Sequence, residues 1–173
     1  MISRRGAVLS LAALACPGAA GAHTLYGQWV VYRQRRLLIG CHREEPATYD
    51  LALELVDEIN GHLPEAQATV ARAPHPERLA SLLGTDQMDL AVLSASDAQG
   101  MIDGAGKFAP YGRIALQGLA GFGILGLYAH ARFPDRHAWL IRSALDAAAE
   151  APDGAPMHAG ASLYLDGAPL PTD

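Results

Sequence analysis

The chain has 173 residues, of which 50% are hydrophobic and 18% charged, and its mean hydropathy is slightly positive. That composition excludes a disordered chain, and the length leaves room for one domain and hardly for two. The formal charge is −5 and Lys107 is the only lysine, which argues against a nucleic-acid groove.

Residues 1–22 read as an export signal. Arg4 and Arg5 precede the apolar run Ala7 to Ala15, and Ala20-Gly21-Ala22 forms an A-x-A cleavage site. Ser3-Arg4-Arg5-Gly6-Ala7-Val8-Leu9 is similar to the twin-arginine signal; an ordinary Sec leader or a short membrane anchor is the alternative. Cleavage after Ala22 takes 22 of the 173 residues, leaves 151, and moves the charge from −5 to −7 because two arginines leave. Cys41 is then the only cysteine, so no internal disulfide can form. A lone thiol of this kind reads as a small buried hydrophobe. Residues 23–36 form a lead-in whose Tyr26, Trp29, Val30, Val31 and Tyr32 pack against the domain edge or serve as an interaction surface.

The domain proper is expected over residues 37–150. Leu37 to Gly40 reads as a strand, and the helix that follows takes Thr48 as its N-cap and buries Ala52, Leu55, Val56, Ile59 and Leu63. Asn60-Gly61-His62-Leu63-Pro64 ends that helix. Ala68 to Ala71 is a second strand, Pro76 to Leu83 a second helix closed by Gly84, and Asp89 to Leu93 a third strand buried on both faces. This alternation builds a parallel sheet. Ser94 to Asp97 leads into a short helix ending near Gly104, and Gly104 to Gly112 is a loop. Ile114 to Leu119 and Gly123 to Ala129 are two further strands whose glycines imply bends or close backbone approach. Phe133-Pro134-Asp135 opens a last helix to about Ala149, with Trp139, Leu140, Ala144, Leu145 and Ala148 buried. Residues 151–173, with four of the eleven prolines, read as an extended tail.

The order of these pieces resembles the TAXI class of TRAP-transporter solute receptors, which are type 2 periplasmic binding proteins. The residues that carry it are the Thr48-Tyr49 helix, Ile59 to Pro64, the strand around Val70, Leu79 to Leu83, Asp89 to Ser94, Gly106-Lys107-Phe108, Phe133-Pro134-Asp135, and Met157 to Ala161 followed by Tyr164. The match spans Leu37 to about Tyr164 and is diffuse. Two departures accompany it. The strand near Leu125 to Ala129 runs straight into the Phe133 helix, so the second lobe of such receptors is absent. The family's glycine-rich first loop is replaced by Gly40 to Ala47. The implied fold is α/β, a single-lobe periplasmic-binding-protein-like sheet, mostly parallel, with helices on both faces.

In an open α/β sheet ligands sit beyond the carboxyl ends of the strands, here Gly40-Cys41-His42, Ala73-Pro74-His75 and Ser94-Ala95-Ser96. Helix N-termini there favour an anion such as a carboxylate. The resemblance implies that Thr48, Tyr49, Ser94 and Ser96, with Gly40, contact the ligand; the plainer reading has Thr48 and Ser96 capping helices and Tyr49 packing. Cys41, His42 and His75 could meet as a soft metal set, and His23, as the mature N-terminus, could bind copper. No G-x-S-x-G, H-E-x-x-H or phosphate loop occurs. The expected function is an exported, non-catalytic solute-binding-like protein without a cofactor. Its partners would be a small carboxylate and TRAP-type membrane components or another periplasmic protein. The alternatives are a one-lobe accessory protein that docks a partner, and a periplasmic metal-binding protein. Leu116 to Tyr128 carries no charge, so it is expected to leave an apolar patch that is covered by a second copy, a partner, or the tail folding back.

Overall fold

A computed structural model describes residues 36–145 and 149–172. The leader over residues 1–22, the lead-in up to residue 35 with His23, and Ala148 lie outside the described residues.

The described residues form five strands and five α-helices, in chain order β1 (Leu38–His42), α1 (Pro46–His62), β2 (Thr69–Ala73), α2 (Pro76–Gly84), β3 (Leu90–Ser94), α3 (Ala95–Asp103), β4 (Leu116–Phe122), β5 (Leu125–His130), α4 (Asp135–Ala144) and α5 (Ala159–Leu165). Short 3-10 helices occupy Pro64–Ala66 and Gly106–Tyr111, the second where the sequence suggests only a loop. The strands form one open sheet in the order β2-β1-β3-β5-β4.

The fold is α/β with a mixed sheet. β1 pairs parallel with β2 and β3, whereas β5 pairs antiparallel with both β3 and β4. A mostly parallel sheet therefore describes only the first half. The cause is local: only Gly123 and Ile124 separate β4 from β5, and Gly123 has φ +66°. A two-residue loop with positive φ at its first position makes a tight hairpin, which forces antiparallel pairing.

Helices cover both faces. On one, α1 buries Ala52, Leu55, Val56 and Ile59 against Ile39, Cys41, Leu90 and Val92, together with Ile141 of α4 and Ala161 of α5. Full burial of each Leu, Val or Ile there stabilises the fold by about 1.5–3 kcal/mol. On the other face, Leu79 and Leu83 of α2, Met101 of α3 and Phe108 pack on Ala91, Leu93 and Tyr128. β3 is buried on both sides, as a central strand should be.

Three boundaries differ from the sequence reading. Helix α1 begins at Pro46 with Glu45 as its N-cap residue, so Thr48 lies inside the first turn. Helix α4 stops at Ala144, because Leu145 turns extended (φ −82°, ψ 136°). The guanidinium of Arg142 there takes the carbonyls of Leu145 and Ala149. Arg142 is fully buried, while Trp139 and Leu140 are only half-buried. The tail is not simply extended, because α5 forms within it. His158 accepts from the Gly160 N–H at 3.2 Å as an N-cap, and Gly160 sits so close to the Asp135 carbonyl that a side chain would not fit.

The tail also closes the sheet's β4 edge. Gly121 N–H donates to Glu150 O (2.7 Å), Gly118 N–H to Pro156 O (2.8 Å) and His158 N–H to Gly118 O (2.9 Å). The ring of Pro152 fills the trough left by Gly118, Gly121 and Gly126, where added Cβ atoms would collide with Pro152 or the neighbouring Ala151 backbone. Leu119 and Leu127 are fully buried and Leu125 nearly so, leaving Ile124, at 77%, as the exposed large side chain of the stretch. The apolar patch is thus covered in cis. Among the described residues no helix is long and apolar enough to cross a membrane.

Candidate functional site

The sheet reverses its winding at β1. Helix α1 leaves β1 toward β2 over one face, and α2 leads to β3, on the other side of β1, over the other face. The carboxyl ends of β1 and β3 therefore part around a crevice, the usual ligand position in open α/β sheets. An open cleft of about 570 Å³ lies there, lined by His42, Glu44, Glu45, Ser94, Ser96, Asp97 and Lys107, with Ile124 and the tail's Asp153 at its rim.

His42 stands at the base of this cleft and is 2% exposed. Its backbone is locked by Thr48, whose hydroxyl donates to Glu45 O at 2.7 Å, lies 3.2 Å from His42 O, and receives the His42 N–H at 3.4 Å. Among the described residues neither ring nitrogen has a hydrogen-bond partner. Nε2 stands 3.9 Å from Glu45 Oε2 and 3.9 Å from Asp97 Oδ2. Lys107 Nζ holds the other oxygen of Asp97 at 2.8 Å; with Lys107 half-exposed, such a pair is worth about 0.2–1 kcal/mol. Ser94 Oγ caps α3 by accepting Asp97 N–H (3.2 Å) and is 3.1 Å from Ser96 Oγ. Ser94, not Ser96, is therefore the N-cap, and the Ser96 hydroxyl is left facing the cleft.

The cleft carries four carboxylates, Glu44, Glu45, Asp97 and Asp153, against one lysine. A cationic or zwitterionic group suits that field better than a dianion. Two like charges 4 Å apart repel by about 4 kcal/mol at an effective dielectric of 20.

The other expected contacts lie elsewhere. Thr48 is fully buried and staples the β1–α1 turn. Tyr49 packs on the α1 side with the Arg72 guanidinium 4.4 Å from its ring centroid. Gly40 is a packing glycine in β1, where a Cβ would lie 2.9 Å from Leu79 Cδ2 and nearer still to Met88 Sδ. Cys41 and His42 point to opposite faces, as successive strand residues must. Burial pushes the Cys41 thiol up to about 11, with Arg72 opposing, so no thiolate is on offer at neutral pH. His75 caps α2 by accepting Arg78 N–H at 3.3 Å, and its Nδ1 is also 3.0 Å from Glu77 Oε2; which contact forms depends on protonation. The set Cys41, His42 and His75 is thus not assembled. Sequence reasoning missed Glu45, Asp97, Lys107 and Asp153. Only Lys107 carried a signal, as the lone lysine beside Gly106.

A second groove of about 620 Å³ lies at the amino ends of β1 and β3, lined by Leu37, Met88, Asp89, Arg132, Phe133 and Leu140 among others. Arg132 there is already engaged by Asp86, Asp89 and the Met88 carbonyl, and among the described residues the groove holds no buried polar side chain like that of His42, which leaves the His42 cleft as the stronger candidate. Compared with known proteins, the chain matches no family model and no curated protein.

Proposed function

We propose that this chain is an exported, non-catalytic solute-binding-like protein, a single lobe related to TAXI-type TRAP receptors, that takes a small carboxylate in the His42 cleft. The observation that carries this reading is the cleft's position at the reversal between β1 and β3, with the Ser94 and Ser96 hydroxyls and Lys107 on its wall. Those groups can donate to one carboxylate, and the N-terminus of α3 adds its dipole. The acidic surplus narrows the ligand to a monocarboxylate or an amino-carboxylate zwitterion. One lobe encloses the ligand, so burial falls short of the roughly 70–90% usual in pockets and affinity is modest. Delivery through the twin-arginine-like leader to the periplasm, and hand-over to TRAP-type membrane components, belong to the same proposal.

Calorimetry tests the reading. A monocarboxylate or zwitterionic amino acid is expected to bind in preference to dicarboxylates, with affinity falling in Ser96→Ala and in Lys107→Ala. No heat from any of these, or unchanged affinity in both variants, would reject it.

One observation favours a second reading, in which the lobe docks a partner protein. Ile124, at the β4–β5 turn on the cleft rim, is 77% exposed. Ile124→Asp would then abolish co-purification of a periplasmic partner while leaving carboxylate binding unchanged.

A further inference from the structure

The acidic surplus of the cleft and the bare imidazole at its base call for a common explanation. His42 is buried to 98% by its 2% exposure, yet among the described residues both ring nitrogens lack hydrogen-bond partners. A buried polar group left in that state is destabilising, and a ligand that bonds to it recovers the cost. Around Nε2 stand two carboxylates, each 3.9 Å away and each free on that side. Glu45 is the N-cap residue of α1 but its side chain makes no capping bond, and Asp97 gives only Oδ1 to Lys107.

We propose that His42, Glu45 and Asp97 bind a divalent first-row transition-metal ion such as Zn²⁺, with the remaining coordination positions open to the cleft. One imidazole nitrogen with two carboxylate oxygens is a borderline-hard donor set suited to such ions. Thr48 fixes the backbone that carries the imidazole, and the first turns of α1 and α3 carry the carboxylates where helix dipoles favour their charged forms. Among the described residues no three such donors are already preassembled around one point. Donors at about 2.1 Å from a tetrahedral ion stand about 3.4 Å apart, so each carboxylate must approach the His42 ring from 3.9 Å by about half an ångström. Glu45, about one-third exposed at its side chain, has the freedom to do it. Lys107 on the far oxygen of Asp97 opposes the ion and keeps the site from being a tight structural one. This inference stands apart from the carboxylate reading, since its assay uses metal ions alone.

The experiment is titration of the metal-stripped, tag-free full chain with Zn²⁺ by calorimetry and with Co²⁺ by visible absorption. One ion per chain is expected. His42→Ala should lower affinity by more than about 100-fold, because even contacts outside the coordination shell are worth about 10- to 100-fold. Glu45→Gln and Asp97→Asn should each lower it at least about tenfold. These two keep side-chain volume at positions that are not fully buried, so they carry the test should His42→Ala fail to fold. His62→Ala, on the exposed end of α1, and His23→Ala are expected to change nothing. Absence of stoichiometric binding, binding that survives Glu45→Gln and Asp97→Asn together, or binding lost in His23→Ala would overturn the proposal.

Discussion

Thr48 shows how a residue's chemistry can be read correctly and its role misplaced. A hydroxyl near the start of a helix and just after a strand is both a plausible cap and a plausible ligand contact, because both need an exposed oxygen. Glu45 takes the N-cap position, and the fully buried Thr48 hydroxyl turns inward to tie His42 and Glu45 together. Thr48→Val is therefore expected to destabilise the fold by about 1–3 kcal/mol in urea denaturation. It should shift ligand affinity only through His42, whereas Ser96→Ala should do the reverse. A Val variant as stable as the parent would show that the staple contributes nothing. In the sequence His42 reads only as a strand-end histidine that could join Cys41 and His75. Its significance comes from burial against Glu45 and Asp97, of which Asp97 is 55 positions away in the chain, and no local pattern encodes that approach. His158 carries a second residue-scale consequence. Its Nε2–H donates to Phe133 O (3.0 Å) while Nδ1 accepts from Gly160, so the ring is held neutral. Burial keeps its pKa below 6.5, partly offset by the Phe133 bond and Asp135. The unfolded chain then binds the proton more readily, so this contribution is complete above about pH 6.5 and is lost as pH falls below it toward the folded-state value. His130, lowered by burial and Arg132, acts in the same direction. Denaturation midpoints should fall between pH 7.5 and pH 5, and by less in His158→Gln, with Gln chosen because it retains a donor.

At the scale of elements, the alternating units of the first half were legible because each has its own punctuation. Pro46 and Pro76 open helices, Gly84 and Gly104 close them, and β1 and β3 read as unbroken apolar runs. The second half was less legible for two physical reasons. The hairpin between β4 and β5 was present as Gly123-Ile124, but a two-residue loop decides strand direction only once the strand ends are known to the residue, and here the expected ends were off by one to three positions. The tail's role was hidden because Pro152 packs into glycines 26 to 34 positions earlier. Gly118, Gly121 and Gly126 do require close approach, but the sequence does not say of what. Gly118→Ala is accordingly expected to expel Pro152 and break the bonds to Pro156 and His158, costing about 1–3 kcal/mol as overpacking does. Hydrogen exchange should show the loss concentrated on β4 and residues 149–158. Gly61→Ala, with nothing near its missing side chain, is the control and should stabilise or leave α1 unchanged.

At the scale of the whole molecule, β4 ends the sheet, and an open strand edge needs a cover. The uncharged stretch Leu116 to Tyr128 is expected from the sequence to be covered by a second copy, a partner or the tail folding back. Apart from Ile124 and the half-buried Phe122 its apolar side chains are interior, and the outer edge of β4 is occupied by residues 149–158, pinned at Tyr128, whose hydroxyl donates to Asp153 O at 2.6 Å. The anchoring continues beyond: Trp139 packs edge-on against Tyr164 at 5.2 Å and donates to Ala168 O, and Arg136 reaches Pro171 O. The strap therefore protects the sheet's outer edge, and it also supplies Asp153 to the cleft. It follows that the chain lacking residues 1–22 should sediment as a monomer at tens of micromolar. Removal of residues 151–173 should unpair Gly118, uncover the glycine trough and strip α5 from α4, converting the protein to a self-associating one with an open, hydrogen-bonding β4 edge. Adding the excised segment back as a peptide should restore the monomer. A truncated chain that remains monomeric and as stable as the parent would mean that the strap is dispensable and that the sheet's outer edge is protected by something other than the tail.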